Sequence, residues 1–279
     1  MLNKLKVSYQ GIAGAYSHLA CYNYFGKDIE CIGCETFEDA MKMVENREAD
    51  YALIPIENKT SGRVDEFYGL IPQMKLQIVA EHYQKIEHHL MGIDGSTIED
   101  MEYVYSHPQG LSQCRNSLKE LNIKPIAQFD TAGSAKEVKR LQNRKIGAVA
   151  SSLASEIYGL KILKSNIQDQ KDNFTRFIAL SNEKDIDILN DKEYITSIIF
   201  KVDNRPSSLY RAIGGFAENR VNILKIESYI PLGKLRDSRF HIDIDGAINS
   251  DSVKESIDIL ENSVNKFKIL GVYQKNRYI

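Results

Sequence analysis

The change in element order near residue 190 constrains this chain more than any single motif. Up to about residue 180, short apolar runs alternate with amphipathic stretches. KVSYQG reads as a strand entering a Gly turn, and AYSHLACYNYFG as a helix stopped at Gly26. FEDAMKMVENREA repeats apolar residues at helical spacing, and DYALIPIEN is a buried strand that ends in polar residues. The series runs on through GLIPQM, LQIVAEHYQKIEHHLMG, YVYSHPQG, LSQCRNSLKEL, DTAGSAKEVKRLQ and KIGAVAS to NFTRFIALS. Strands alternating with helices predict an α/β fold with mainly parallel sheets. After the polar, charged stretch SNEKDIDILNDKE, the order becomes YITSIIFKV, SSLYRAIGGFAEN, NILKIESYI, RFHIDIDG, SVKESIDILENSV, KFKILGVY. That is βαββαβ, the split-βαβ order of ferredoxin-like domains. The expected organisation is one domain over 1–181, a linker at 182–193 and a second domain over 194–279.

A chain of 279 residues is long enough for two domains with their own cores. The formal net charge of −2 gives no bulk field that would favour nucleic acid or an acidic membrane. No apolar run approaches the roughly 18 residues needed to span a bilayer, and MLNKLKVSYQ lacks a secretory h-region. A cytoplasmic protein with neither nucleic-acid nor membrane partners is the expectation. Cys31-Ile-Gly-Cys34 has a zinc or redox spacing, but no second cysteine pair follows and His18 lies outside any finger-like spacing. Cys21, Cys31, Cys34 and Cys114 are therefore expected to be reduced, partly buried thiols, with no metal.

Several strand ends share one property: apolar runs stop in small, hydroxyl or amide residues. These are Gly14-Ala15-Tyr16-Ser17, Glu57 through Gly62, Ser106-His107-Pro108-Gln109 and Ala150-Ser151-Ser152. Ligands of open α/β sheets sit outside the carboxyl ends of strands, where free N–H groups of following helices hold anions. Four such ends point to a cleft for an anionic ligand. Three have a structural alternative: GIAGAYS as a tight turn, His107 as a loop imidazole satisfied by backbone, Glu57 in an ion pair. The adjacent His88 and His89 lie in a probable strand, so their rings point to opposite faces and do not join one site. In NFTRFIALS, Thr175 shares a face with Phe177, and Arg176 with Phe174. Alone, Arg176 reads as half of a buried ion pair and Thr175 as a residue of high β propensity.

Together these stretches resemble the prephenate dehydratase family. DNF followed by TRF, PIENKTSGRV, YSHPQGLSQC, DTAGSA and YQGIAGAYSHLA occur in that family's order over residues 7–181. The remainder resembles the family's C-terminal ACT regulatory domain, and the monofunctional form is the expectation. The resemblance implies a bilobal catalytic domain like a type 2 periplasmic binding protein, and decarboxylation plus dehydration of prephenate to phenylpyruvate. Arogenate dehydratase, and a non-catalytic amino-acid sensor, are the alternatives. It implies Thr175 as hydrogen-bond donor to the departing hydroxyl, Arg176 as carboxylate clamp, Phe177 as a water-excluding ring and Glu57 as supporting acid. Asn58, Thr60, Ser61, Ser106, His107, Gln109, Ser151 and Ser152 match polar family positions around the substrate. No cofactor is implied, because the reaction is redox-neutral and driven by aromatisation. In the ACT segment, PSSLYRA and KIESYIP depart from the family's Gly-Ala-Leu-Val and Glu-Ser-Arg-Pro. Ser207, Ser208, Leu209, Asn222, Glu227 and Ser228 are the implied effector residues, with L-phenylalanine as effector and a homodimer or homotetramer as the assembly.

Overall fold

The computed structural model describes residues 4–183, 188–189, 192–230 and 239–276. The expected linker at 182–193 therefore lies partly outside the described residues. In chain order the elements begin with β1 (Leu5–Gln10), α1 (Tyr16–Phe25), β2 (Ile29–Cys34), α2 (Phe37–Glu45), β3 (Tyr51–Asn58) and β4 (Gly62–Arg63). They continue with α3 (Asp65–Leu70), β5 (Gln77–Lys85), β6 (His89–Gly92), β7 (Tyr103–Ser106), α4 (Pro108–Gln113) and α5 (Arg115–Glu120). Next come β8 (Lys124–Ala127), α6 (Thr131–Leu141), β9 (Ile146–Ala150), α7 (Ser152–Tyr158), β10 (Lys161–Lys164) and β11 (Phe174–Ser181). The chain closes with β12 (Tyr194–Lys201), α8 (Ser208–Glu218), β13 (Ile223–Tyr229), β14 (Arg239–Asp245), α9 (Asp251–Ser263) and β15 (Lys266–Gln274).

These strands form three sheets, ordered β2-β1-β3-β11-β5 with β4 beside β3, β10-β6-β9-β7-β8, and β13-β14-β12-β15. The α/β alternation and the βαββαβ order are both present. The second sheet is only half parallel: β7 runs parallel to β8 and β9, but β6 is antiparallel to β9 and β10. The cause lies in the apolar run LQIVAEHYQKIEHHLMG. Its first half is β5 of the first sheet and its second half β6 of the second sheet. A strand reached by a short crossing, without a helical return, has no requirement to be parallel.

The chain divides into two compact units, one comprising residues up to 40, 57–63 and 83–177, the other 41–56, 64–82 and 178 onward. In the first unit both faces of the second sheet are covered. Leu90 and Val149 face a cluster with Val104, Cys114 and Leu118, while Met91, Ala148 and Ala150 face Ala135, Val138 and Ala154. The alanines of β9 let α6 and α7 approach closely. Asp130 caps α6 by accepting from Gly133 N–H at 2.5 Å, and Ser151 caps α7 by accepting from Ala154 N–H at 3.1 Å.

In the second unit, α8 and α9 cover one face of the last sheet, burying Ile198, Phe200, Ile242, Ile244, Phe216, Ile257 and Leu260. The opposite face meets residues 64–82 of the same unit. Tyr68 OH lies 3.3 Å from His241 Nδ1, and Lys268 Nζ donates to the Met74 carbonyl. Glu81 accepts from Asn276 N–H at 2.9 Å. Gly271 packs so tightly here that an added Cβ would stand 2.0 Å from the Ile78 carbonyl oxygen.

Candidate functional site

Asn58, the last residue of β3, is 7% exposed and organises the site. Its Oδ1 accepts from the N–H groups of Thr60 and Ser61, both at 3.0 Å, and from their hydroxyls at 2.7 and 3.1 Å. This side-chain turn closes the β3–β4 hairpin, which Gly62 completes at φ 80°. Its Nδ2 faces the start of β11 and donates to Thr175 Oγ1 at 2.9 Å, Asn173 Oδ1 at 3.0 Å and the Phe174 carbonyl at 3.2 Å. Lys59 N–H also donates to the Phe174 carbonyl, at 2.9 Å. One amide therefore both folds a turn and fixes the threonine.

The chain of hydrogen bonds extends beyond Asn58. Gln113, at the end of α4, donates from Nε2 to Thr60 Oγ1 at 2.9 Å, and its Oε1 lies 2.7 Å from His88 Nε2. His88 Nδ1 lies 2.7 Å from Tyr16 OH on α1. Burial lowers the pKa of His88, so its ring is neutral at neutral pH. The amide carbonyl of Gln113 assigns the ring proton to Nε2, which leaves Nδ1 an acceptor facing Tyr16 OH, whose one proton is shared with the Glu87 carbonyl at 2.8 Å. Every donor from His88 onward then points the same way: His88 to Gln113, Gln113 to Thr60, Thr60 to Asn58, Asn58 to Thr175. Thr175 Oγ1 accepts at the end of a polarised chain, and its own proton is left to donate outward. A negative charge growing on that oxygen is stabilised by this arrangement.

Beside the chain lies a cleft of about 180 Å³ lined by Thr60, Ser112, Gln113, Gln168, Asp169, Gln170 and Asn173. Amides dominate the lining, so the cleft offers directed hydrogen bonds. Gln168 is itself held by His88 N–H, which donates to its Oε1 at 2.9 Å.

The structure brings Asn58, Thr60, Ser61 and Thr175 together; the other residues singled out from sequence are placed differently. Arg176 and Phe177 follow Thr175 on β11 and are buried at 7% and 2% exposure. Glu57 pairs in register with Arg63 of β4. Ser106 donates its hydroxyl to the Val149 carbonyl at 2.6 Å, and Ser151 to the Gly14 carbonyl at 2.7 Å. Both hydroxyl protons are used in holding loops and strands together. His107 caps α4, its Nδ1 accepting from Gln109 N–H at 3.2 Å; Gln109 is exposed and Ser152 begins α7. Gln113, Asn173 and Gln168 carry the network together with His88, and nothing in the sequence reading points to those three. Gln113 and Asn173 stood inside LSQC and DNF, but their partners lie 53 and 115 residues away. His88 lies just before β6 and joins the network without His89, in keeping with the separation of the two rings.

Of the implied effector residues, Ser207 precedes α8 at φ 67° without a side-chain capping bond, and Leu209 packs on the core beneath α8. The register Lys201↔Arg239 and Arg239↔Tyr229 puts Ser228 near that end of the sheet. Asn222 lies at the other end, where its carbonyl accepts from Asp245 N–H. Six residue steps along the strand separate it from Ser228, or about 20 Å. Glu227 lies opposite His241 and Ser228 opposite Phe240, so their side chains occupy opposite faces.

Residues 7–185 match the family model described as prephenate dehydratase. A bifunctional N-acyl-homoserine lactone acylase/prephenate dehydratase of Komagataeibacter europaeus is 36% identical over 96% of this chain and 95% of its own length. Arogenate dehydratase/prephenate dehydratase 1 of Arabidopsis thaliana is 38% identical, covering 97% of this chain and 72% of its own. Among solved structures, prephenate dehydratase from Arthrobacter aurescens in complex with L-Phe superposes with a TM-score of 0.88 at 26% identity, covering 97% of this chain and 90% of that one.

Proposed function

The chain belongs to the prephenate dehydratase family and is a dehydratase, and we propose that its substrate is prephenate, converted to phenylpyruvate, CO2 and water. Thr175 donates a hydrogen bond to the departing ring hydroxyl. A threonine is a very weak acid, so donation accompanies C–O cleavage rather than preceding it. The 2.9 Å contact from Asn58 Nδ2 to Thr175 Oγ1 carries this reading, because it supports the charge that Thr175 takes on as its proton moves away. Arg176 clamps the pyruvyl carboxylate in two-pronged fashion. Binding the ring carboxylate that tightly would stabilise the ground state, since that group must lose its charge as CO2.

The experiment is turnover of purified full chain on prephenate, on arogenate and on an N-acyl-homoserine lactone. Phenylpyruvate from prephenate at the highest kcat/KM is the expected result. Faster arogenate turnover would transfer the assignment to that substrate, and lactone hydrolysis alone would defeat it.

L-phenylalanine inhibits through the βαββαβ segment, which serves as an ACT domain. The distance between Asn222 and Ser207–Ser208 supports a pocket assembled from two copies of the sheet. The edge strand β13 supports it too, with Leu224 and Ile226 exposed at 39 and 44% and Ile230, just past its end, at 57%. Calorimetry on the full chain should show L-phenylalanine binding; silence with phenylalanine, tyrosine and tryptophan alike would leave this sheet a purely structural role.

A further inference from the structure

The Cys31-Ile-Gly-Cys34 stretch lies along β2, so strand alternation sends its two sulfurs to opposite faces. The thiols of that stretch cannot act on each other without unmaking the strand. Parallel pairing sets Cys31 beside Val7, and Val7 shares a face with Tyr9. Tyr9 stacks on His18 of α1, with ring centroids 5.1 Å apart and 12° between planes. Cys31 therefore faces α1. On that helix Cys21 follows His18 by three residues and lies on the same side, with both buried. α1 packs directly on β1 and β2, so two cysteines ten residues apart become neighbours beneath the helix.

His18 is fixed in one tautomer. Its Nδ1 accepts from Gly14 N–H at 3.1 Å, which assigns the proton of the neutral ring to Nε2. Tyr9 and Tyr22 hold the ring, Tyr22 at 4.6 Å between centroids. Among the described residues the buried Nε2–H makes no hydrogen bond. The neighbouring Cys21 thiol and the His18 ring together hold the Cys31 thiol below its ordinary value, while Cys21 is pushed up by that same pairing and by burial. Tyr9 and Tyr22, the other titratable groups facing the pair, are both raised by burial and stay neutral. Cys31 is partly exposed; Cys21 is fully buried.

We propose that Cys31 is a modification site, a nucleophilic thiolate for small peroxides and thiol-directed electrophiles, with Cys21 as its resolving thiol. The Cys31 sulfur attacks one oxygen of hydrogen peroxide, the O–O bond breaks, and hydroxide departs and takes up a proton. Cys31 is now a sulfenic acid. The Cys21 sulfur attacks that sulfur, the S–S bond forms, the S–O bond breaks, and water leaves with the Cys21 proton. The dithiol loses two electrons, and the peroxide is reduced to two waters. A thiolate beside an imidazole, partly open to solvent, has the setting that reactive cysteines share.

The test uses the native full chain. A pulse of limiting iodoacetamide at pH 7 is followed by trypsin, which cuts after Lys27 and separates Cys21 from Cys31, and by fragment mass spectrometry. Cys31 should be alkylated at least about tenfold faster than Cys34, whose thiol is raised by burial. Buried Cys21 and Cys114 should stay unlabelled, confirming that the protein remained folded. One equivalent of hydrogen peroxide should then link the Cys21 and Cys31 peptides. In Cys21→Ser, dimedone should instead capture a sulfenic acid on Cys31. Labelling of Cys34 as fast as Cys31, or a peroxide-induced link other than Cys21–Cys31, would overturn the proposal in the wild-type chain alone.

Discussion

Replacing Asn58 with aspartate separates the two roles of that side chain. The carboxylate still accepts from the Thr60 and Ser61 N–H and hydroxyl groups, so the β3–β4 turn keeps its four bonds. It cannot donate to Thr175 Oγ1, Asn173 Oδ1 or the Phe174 carbonyl, which become acceptors facing an anion. Loss of one donor aimed at a developing oxyanion costs ~2.7–4 kcal/mol, or about 10²- to 10³-fold in kcat. The new charge adds to this by opposing proton donation from an oxygen that stood 2.9 Å from the amide. At pH 8, where the new carboxyl group is ionised, kcat of Asn58→Asp should fall at least about 10²-fold, with KM within about threefold. Thr60→Val probes the next link. Cooperative polarisation strengthens a bond by ~10–30%, and an amide bond is worth ~4–6 kcal/mol before solvent competition. The loss is then ~0.4–1.8 kcal/mol, or about two- to twentyfold in kcat. Stopped-flow absorbance of phenylpyruvate, with circular dichroism as the folding control, measures both. A folded Asn58→Asp enzyme with kcat within about fivefold of wild type would refute the polarised chain.

Thr175→Ala should lower kcat by roughly 10²-fold or more with little change in KM; wild-type-like turnover would remove the hydroxyl from the mechanism. Arg176→Lys keeps the charge but loses the planar fork, so KM for prephenate should rise by about tenfold, and an unchanged KM would assign Arg176 a purely structural role. Burial depresses the His88 pKa, so the neutral ring contributes stability that is complete above the unfolded value of about 6.5 and is lost as pH falls below it. Urea midpoints of His88→Gln should therefore decline less than wild type between pH 7.5 and 5; parallel curves would show that another group governs the acid limb.

The βαββαβ order was legible because hydrophobic period and turn residues are local properties, and β12 through β15 follow the pattern closely. The division of 76–92 between two sheets was not, since Lys85 through His88 carries no glycine and no proline to mark the crossing. LSQCRNSLKEL reads as one helix by spacing, yet the chain turns at Cys114 and makes two short ones. In the site, the polar end of β3 and the Thr-Arg-Phe strand could be seen separately. That one amide joins them could not, because the contact spans 117 residues and follows from which strands become neighbours. His88 was set aside on a sound geometric argument about paired rings, which left open what a single ring could do. The cysteines were read by spacing, and spacing misleads when the segment is a strand: i and i+3 diverge there, and the useful partner came from α1.

The meeting of Gly271 with the Ile78 carbonyl has a mechanical meaning. Where side chains fill a seam, rotamers take up small displacements as play in a joint does. At this point backbone bears on backbone, and a single methyl group has no room. The joint between β15 and β5 is thus without backlash: a shift of a few tenths of an ångström in one strand must appear in the other. β5 lies next to β11 in its sheet, and β11 opens with the Phe174-Thr175 pair. A load applied to the βαββαβ sheet therefore has a stiff member to push against, the strand β5.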